Sequence, residues 1–180
     1  MMDVYDKCPV YHGKIISLRQ TTMEDASALL SCYSDEKAVP FFNSDNCNGD
    51  DFFYRTIERM EQAIRFWGLS YKSKYFVRWS IVERRTNMVI GTTEMFHRKA
   101  DDKFDGYGVL RIDLMSKFEK AGIIADILEI AERHFYDDFH VKHILTKAIP
   151  SAVDRRKALE SCGWSELGEK MMTHDDYFVK

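Results

Sequence analysis

Between an apolar run, Val109–Met115, and a long amphipathic pattern reaching Phe135 lies the segment Ser116-Lys117-Phe118-Glu119-Lys120-Ala121-Gly122. A strand that ends in a short loop and opens a helix gathers unbonded backbone N–H groups and a positive dipole end in one place. The chemistry of such a place is anion binding. Lys117 and Lys120 add positive charge, and Glu119 opposes it. A plain helix N-terminus, satisfied by water and lysines, is the other reading of the same residues.

Three titratable side chains stand close by in sequence. Glu94 alternates with Ile90, Thr92 and Phe96 on one strand face. That placement suits a partly buried carboxylate with a raised pKa, or else a glutamate facing solvent. Asp113 shares a face with Arg111 and Met115, where a structural ion pair with Arg111 is the competing reading. His97 has no evident partner. No Ser/His/Asp nucleophile set is present. The stretch Ser34–Asp51 holds Asp35, Glu36, Asp45, Asp50 and Asp51, which would attract a cation or simply be solvated. Phe41, Phe42, Phe52 and Phe53 read as core or lid residues.

The totals narrow the classes. The 180 residues suit one domain, 1–180, with a sizeable core; 45% are hydrophobic and 31% charged. A net charge of −3 without a long basic run argues against nucleic acid as partner. No apolar run has the length of a membrane span, and Met1–Asp6 lacks the form of a signal peptide. Cys8, Cys32, Cys47 and Cys162 show no metal-ligand spacing. They read as reduced thiols in a cytoplasmic protein, and no metal is expected.

The elements that must position these residues follow from period and punctuation. Lys14–Gln20 is a first strand, and Thr21 with Glu24 forms a capping box for a helix to about Tyr33. A second helix covers roughly Asp51 to Trp67, with Phe53, Ile57, Met60, Ile64 and Trp67 on one face and Glu61–Arg65 paired outside. Tyr75–Glu83 and Met88–Arg98 form a hairpin through Arg84–Asn87, and Gly106–Met115 is the next strand. The helix from about Phe118 to Tyr136 buries Ile123, Ile127, Ile130, Ala131 and His134 and leaves Asp126, Glu129 and Arg133 outside. Strand Lys142–Ile149 precedes a helix capped by Ser151, with Asp154 in its first turn, and closed by Gly163. Strands near Ser165–Glu169 and Thr173–Val179 end the chain. The order is β-α-α-β-β-β-α-β-α-β-β. It predicts an α/β (α+β) single domain with a mixed, mostly antiparallel twisted sheet and helices on both faces.

This order, with the entry segment Ile16–Ala26, the hairpin residues Val89-Ile90-Gly91-Thr92 and the ending Leu159-Glu160-Ser161-Cys162-Gly163-Trp164, resembles the GNAT superfamily of acyl-CoA N-acyltransferases. It is most similar to the ribosomal-protein N-terminal acetyltransferase group. The family's cofactor loop, Gln/Arg-x-x-Gly-x-Gly/Ala, falls here on Glu119 to Ile124, and Gly122 alone matches cleanly. The resemblance implies acetyl-CoA as cofactor. The backbone of Leu114, Met115 and Ser116 would hold its pantetheine arm. Lys117, Lys120, Ala121, Gly122, Ile123 and Ile124 would hold its pyrophosphate. Ile124 stands where Gly or Ala is usual, and a positive φ at Lys120 would cost ~1 kcal/mol or more. Ala152 occupies the position of a common Asn, and Leu159 that of a Tyr that often protonates the leaving thiolate.

The implied activity is direct transfer of an acetyl group to a primary amine, a protein N-terminus or a small amine. Glu94 or Asp113 would act as general base. The alternative, resting on the departures from the loop pattern, is a catalytically inactive GNAT-like binding or assembly module. The terminal edge strands suggest a possible homodimer.

Overall fold

The computed structural model describes residues 3–44 and 51–180, so the expectations that fall on Asp45, Cys47 and Asp50 lie outside the described residues. Eight strands form one sheet in the order β1-β2-β3-β4-β5-β6-β8-β7. They are β1 Tyr11–His12, β2 Ile16–Gln20, β3 Val77–Glu83, β4 Met88–His97, β5 Gly108–Leu114, β6 Ile144–Lys147, β7 Ser165–Glu166 and β8 Tyr177–Val179. All neighbours are antiparallel except β5 and β6. The expected mixed sheet with helices on both faces is therefore present.

Helices α1 (Ala26–Tyr33), α2 (Val39–Phe42) and α3 (Ile57–Lys72) precede the central hairpin; α4 (Ala121–Asp138) and α5 (Val153–Ser161) follow β5 and β6. One core joins α4 and α5 to the sheet through Ile124, Ile127, Leu128, Ala131, Phe135, Ala158 and Leu159. Within it Phe135 stacks on Trp79 at 5.1 Å between ring centroids. A second core lies under α1 and α3, around Leu29, Tyr33, Met60, Ile64 and Trp67, and a small third cluster joins Phe104, Leu145, Met171 and Tyr177. Among the described residues no helix is long and apolar enough to cross a membrane.

Local chemistry moves several boundaries. The capping box forms one residue later than expected, with Thr22 as N-cap and Asp25, not Glu24, returning the bond to the Thr22 amide at 3.0 Å. Helix α3 begins at Ile57, because Thr56 accepts the Arg59 amide; Asp51–Arg55 is not helical, which removes Phe53 from the helical face. Glu61 and Arg65 do pair, at 2.9 Å. Ser151 does not cap α5, whose N-cap is Ala152, but Gly163 closes it with φ +75°. The amides of Gly163 and Trp164 return to Glu160 and Leu159, the bonding pattern of a Schellman end.

The largest departure is Asp126. Expected outside, it is buried, and its carboxylate accepts the amides of Lys14, Ile15 and Ile16 at 2.8, 2.7 and 2.9 Å. Three donors satisfy a charge that burial would otherwise penalise.

Two predictions arise from this frame. A Cβ built on Gly91 would lie 2.0 Å from the carbonyl oxygen of Asp113, because β4 and β5 approach closely there. Gly91→Ala is expected to cost ~2–3 kcal/mol through forced separation of the strands, read from the urea midpoint. Asp25 is buried, and burial alone would raise its pKa. Bonds from Arg19, Thr22 and Ser80 outweigh that and hold it below its ordinary value. A folded-state pKa below the unfolded one gives stability that is complete above the unfolded value and is lost as pH falls through the folded one. Asp25→Asn should flatten the acid side of the stability curve, measured by urea midpoints from about pH 6 down to about pH 3.

Candidate active site

The parallel pairing of β5 with β6 covers only Gly108↔Ile144, Val109↔Leu145 and Leu110↔Thr146. Beyond Leu110, β5 continues to Leu114 while β6 ends at Lys147 and Ala148 bonds instead to Asp176. The two strands thus form a fork. The Gly108 amide points toward β6, to His143, and the Met115 amide points to Ile90 of β4. Strand alternation then turns the backbone groups of Ile112 and Leu114 into the fork.

Past the fork, a 3₁₀ turn (Ser116–Phe118) leads to α4. Lys120 is its N-cap, with φ −126° and ψ 137°, so the strain expected of a positive φ does not arise. The loop amides are not equally free. Ser116 donates to Asp35 Oδ2 at 2.7 Å, Lys120 donates to Phe118, and Ile123 and Ile124 both donate to the Lys120 carbonyl. Ala121 and Gly122 alone keep unbonded amides in the first turn. The side chain of Met115 is buried in the core under α1 and α3 and that of Ile124 in the core under α4, whereas Lys117, Lys120 and Gly122 are exposed. A Cβ on Gly122 would meet only Ile15, at 3.9 Å. The fold itself does not demand glycine there.

Glu119 does not oppose the loop's positive charge as expected. Its carboxylate is bound in a fork–fork pair by Arg155 of α5, at 2.7 and 2.9 Å, and both side chains are buried. Leu159 is buried in the core below and offers no proton donor, in keeping with its apolar side chain.

On the α1 face, beside the level where the fork opens, lies a polar network. Arg78 donates to Glu94 Oε2 through Nε, at 3.0 Å, and through Nη2. Its Nη1 donates to the Tyr33 hydroxyl, Thr92 and Asp113 at 2.9, 3.1 and 3.2 Å. Tyr33 donates to Asp113 at 2.7 Å, and Arg111 Nε reaches the same carboxylate at 3.0 Å. The Arg111–Asp113 pair read from the strand face is present. Burial, with the Asp113 charge, pushes the Tyr33 pKa well above that of a free phenol, so its hydroxyl stays protonated. Trp67 covers Arg78 at 4.2 Å and Phe52 covers Arg111 at 4.1 Å.

Within this network the two candidate carboxylates differ. Asp113 has no exposed surface. Glu94 keeps 11% of its side chain exposed, and Arg78 engages only its Oε2. No fully buried side-chain oxygen among the described residues lacks a partner, so Oε1 retains contact with solvent. Glu94 pairs across the strands with Arg111, one residue past the last β5–β6 pair. His97 lies apart, its Nδ1 3.0 Å from the Phe139 carbonyl. In the acidic stretch, Asp35 is bound to Ser116 and Asp51 to Asn43 and Phe53. Tyr33, Arg78 and Arg155 were not singled out from sequence as site residues, while Thr92 stood only as a neighbour of Glu94 on its strand face and Asp35 only as one of an acidic stretch. Arg78 alone carried a local signal, as a cation inside the apolar strand Val77–Val82.

Residues 16–165 match the acetyltransferase (GNAT) domain family. An uncharacterized N-acetyltransferase of Bacillus subtilis, YoaA, is 28% identical over 98 residues, 52% of this chain and 51% of that protein. The chain thus matches about half the length of that curated relative. The ribosomal-protein-S5-alanine acetyltransferase of Vibrio fischeri superposes with a TM-score of 0.72 at 15% identity, covering 96% of each chain. Mycobacterium smegmatis RimJ, solved with CoA-disulfide, gives 0.73 at 14% identity over 94% of this chain and 84% of that one. At such identities the likeness is one of fold. The alternative of a non-catalytic module has no support in these matches: the family, the Bacillus subtilis relative and the Vibrio fischeri protein are each described as acetyltransferases. With its forked sheet and the match over residues 16–165, the chain belongs to the GNAT acetyltransferase family.

Proposed function

We propose that this protein is an acetyl-CoA-dependent N-acetyltransferase acting on a primary amine, a protein N-terminus or a small amine, by direct transfer in a ternary complex. The observation that carries the reading is the unpaired β5 edge leading to two unbonded amides at the start of α4. An extended arm with amide groups pairs with such an edge as an added strand does, and a pyrophosphate suits the helix start. Ile112 and Leu114 would hold the pantetheine arm, rather than the expected Leu114, Met115 and Ser116, because the Met115 and Ser116 amides are already bonded to Ile90 and Asp35. Ala121 and Gly122, with Lys117 and Lys120, would hold the phosphates. Acetyl-CoA supplies the acyl group already activated as a thioester.

Glu94 is the base in this reading. Its Oε1 takes the proton of the incoming ammonium, directly or through a water, while Arg78 holds Oε2. As the neutral amine bonds to the acyl carbon the thioester C–S bond breaks, and the proton lost from the new amide nitrogen goes to the departing thiolate. Asp113 positions Arg78 and Arg111 and moves no proton. Self-association through the exposed edge strand β7 belongs to the proposal, and sedimentation at micromolar concentration decides it.

Calorimetry with acetyl-CoA and CoA is the direct test, supported by a rise in melting temperature with ligand. Absence of both heat and thermal shift at millimolar ligand would sink the reading. Gly122→Ala separates fold from site. Its methyl group has space and favours the helix by up to about 1 kcal/mol, yet it crowds the unbonded amides. Stability should rise or hold while CoA affinity falls.

A further inference from the structure

The Glu119–Arg155 pair stands where two separate parts of the fork meet. Glu119 belongs to the loop that continues β5, and Arg155 to the helix that follows β6. Both side chains are almost wholly buried, at 7% and 4% exposure, and Arg155 engages both carboxylate oxygens. A fork–fork pair fixes distance and orientation together, and burial shields it from salt. Glu119 immediately precedes Lys120, whose carbonyl receives the Ile123 and Ile124 amides and so sets the first turn of α4. No side chain caps this helix start. The loop's remaining polar ties are the Ser116–Asp35 bond and its own short-range turns, and Phe118 packs against both cores.

We propose that Arg155 is a positioning residue for the cofactor loop: by clasping Glu119 it latches the end of one fork arm to the helix beyond the other, and so holds the Ala121 and Gly122 amides ready for a phosphate. The pair also removes an electrostatic fault. With Lys117, Lys120, Glu119 and Arg155 the local balance is 3 − 1 = +2; with Glu119 left unpaired it is 2 − 1 = +1. This role rests on the acetyl-CoA reading above, but the latch itself exists without ligand.

The test separates latch from charge. Arg155→Met alone leaves a buried carboxylate and risks unfolding. Glu119→Gln with Arg155→Met keeps the local balance at +2 through Lys117 and Lys120, and leaves no buried charge unpaired. In the ligand-free double variant the Ile123 and Ile124 amides should exchange about tenfold faster or more, while amides of β3 and β4 keep their rates. CoA affinity by calorimetry should fall about tenfold, the loss expected when preorganisation is removed. Arg155→Lys, which keeps an ion pair but not the two-point grip, should recover part of that affinity. Unchanged exchange at Ile123 and Ile124 overturns the latch whether or not CoA binds. Unchanged CoA affinity in a folded double variant overturns its role toward the cofactor, as does a lysine variant as weak as the double one. Failure of the unaltered protein to bind CoA overturns the acetyltransferase reading instead, and the exchange rates still decide the latch.

Discussion

Replacing Arg78 with methionine is expected to cost ~3–5 kcal/mol of folding stability, a large part of what a domain of this size possesses. The guanidinium has 2% exposure and answers two carboxylates, Glu94 and Asp113, the second wholly buried. Methionine fills much of the space against Trp67 but leaves Glu94 without its charge partner and Asp113 with the Arg111 charge and the Tyr33 hydroxyl. The cost comes from stranded charge and not from lost contact area. Adding Glu94→Gln to the variant should therefore recover part of the loss, since Arg111 still balances Asp113. Urea midpoints of the two single variants and the double variant form the cycle. A loss below ~1 kcal/mol for Arg78→Met would mean that water reaches the network and that its burial counts for little.

Glu94→Gln is expected to lower kcat for amine acetylation by about a hundredfold or more, the scale of a removed general base. CoA affinity should be unchanged, because the Glu94 carboxylate bonds to Arg78 and not to the groups of β5 that face the fork or to the start of α4. The amide can still accept from Arg78, so the fold should survive with a modest loss. Steady-state rates on a panel of small amines and peptides with free N-termini, alongside CoA calorimetry, give both numbers. Equal losses in kcat and in CoA affinity would count against a proton-transfer role and for a general disturbance of the sheet. Unchanged kcat would make Glu94 a partner of Arg78 and nothing more.

Much of the fold was legible because its signals are local. The β3–β4 hairpin, the buried stripe of α3 and the left-handed Gly163 closing α5 depend on residues a few positions apart. The Arg111–Asp113 pair was readable for the same reason, from two positions on one strand face. Helix starts were less so. Asp51–Arg55 carries a helical spacing, but Thr56 supplies the cap and the chain before it is not helical. The site was legible as a place, a strand followed by an anion-ready helix start, and illegible as a wired object. Asp35 takes the Ser116 amide across 81 positions, and Arg155 takes Glu119 across 36. No periodicity announces such partners. Asp126 shows the same limit from the other side: a carboxylate on a helix reads as solvated until three amides from a distant turn surround it.

That Asp126 tie has a consequence for how the chain is made. The amides it holds, those of Lys14 to Ile16, are separated from it by 110 to 112 positions. Tyr11 donates to Asp138, 127 positions away. A ribosome delivers the β1–β2 turn early and its anchor late. During synthesis β2 can pair with β3 once Val77–Glu83 has emerged, but the β1–β2 turn waits for its carboxylate anchor until α4 follows, at residue supply rates of about 5–20 per second a delay of roughly 5–25 s after the turn itself is made. The earliest-made turn of the sheet thus receives its last ties late, after the strand behind it has already paired with β3.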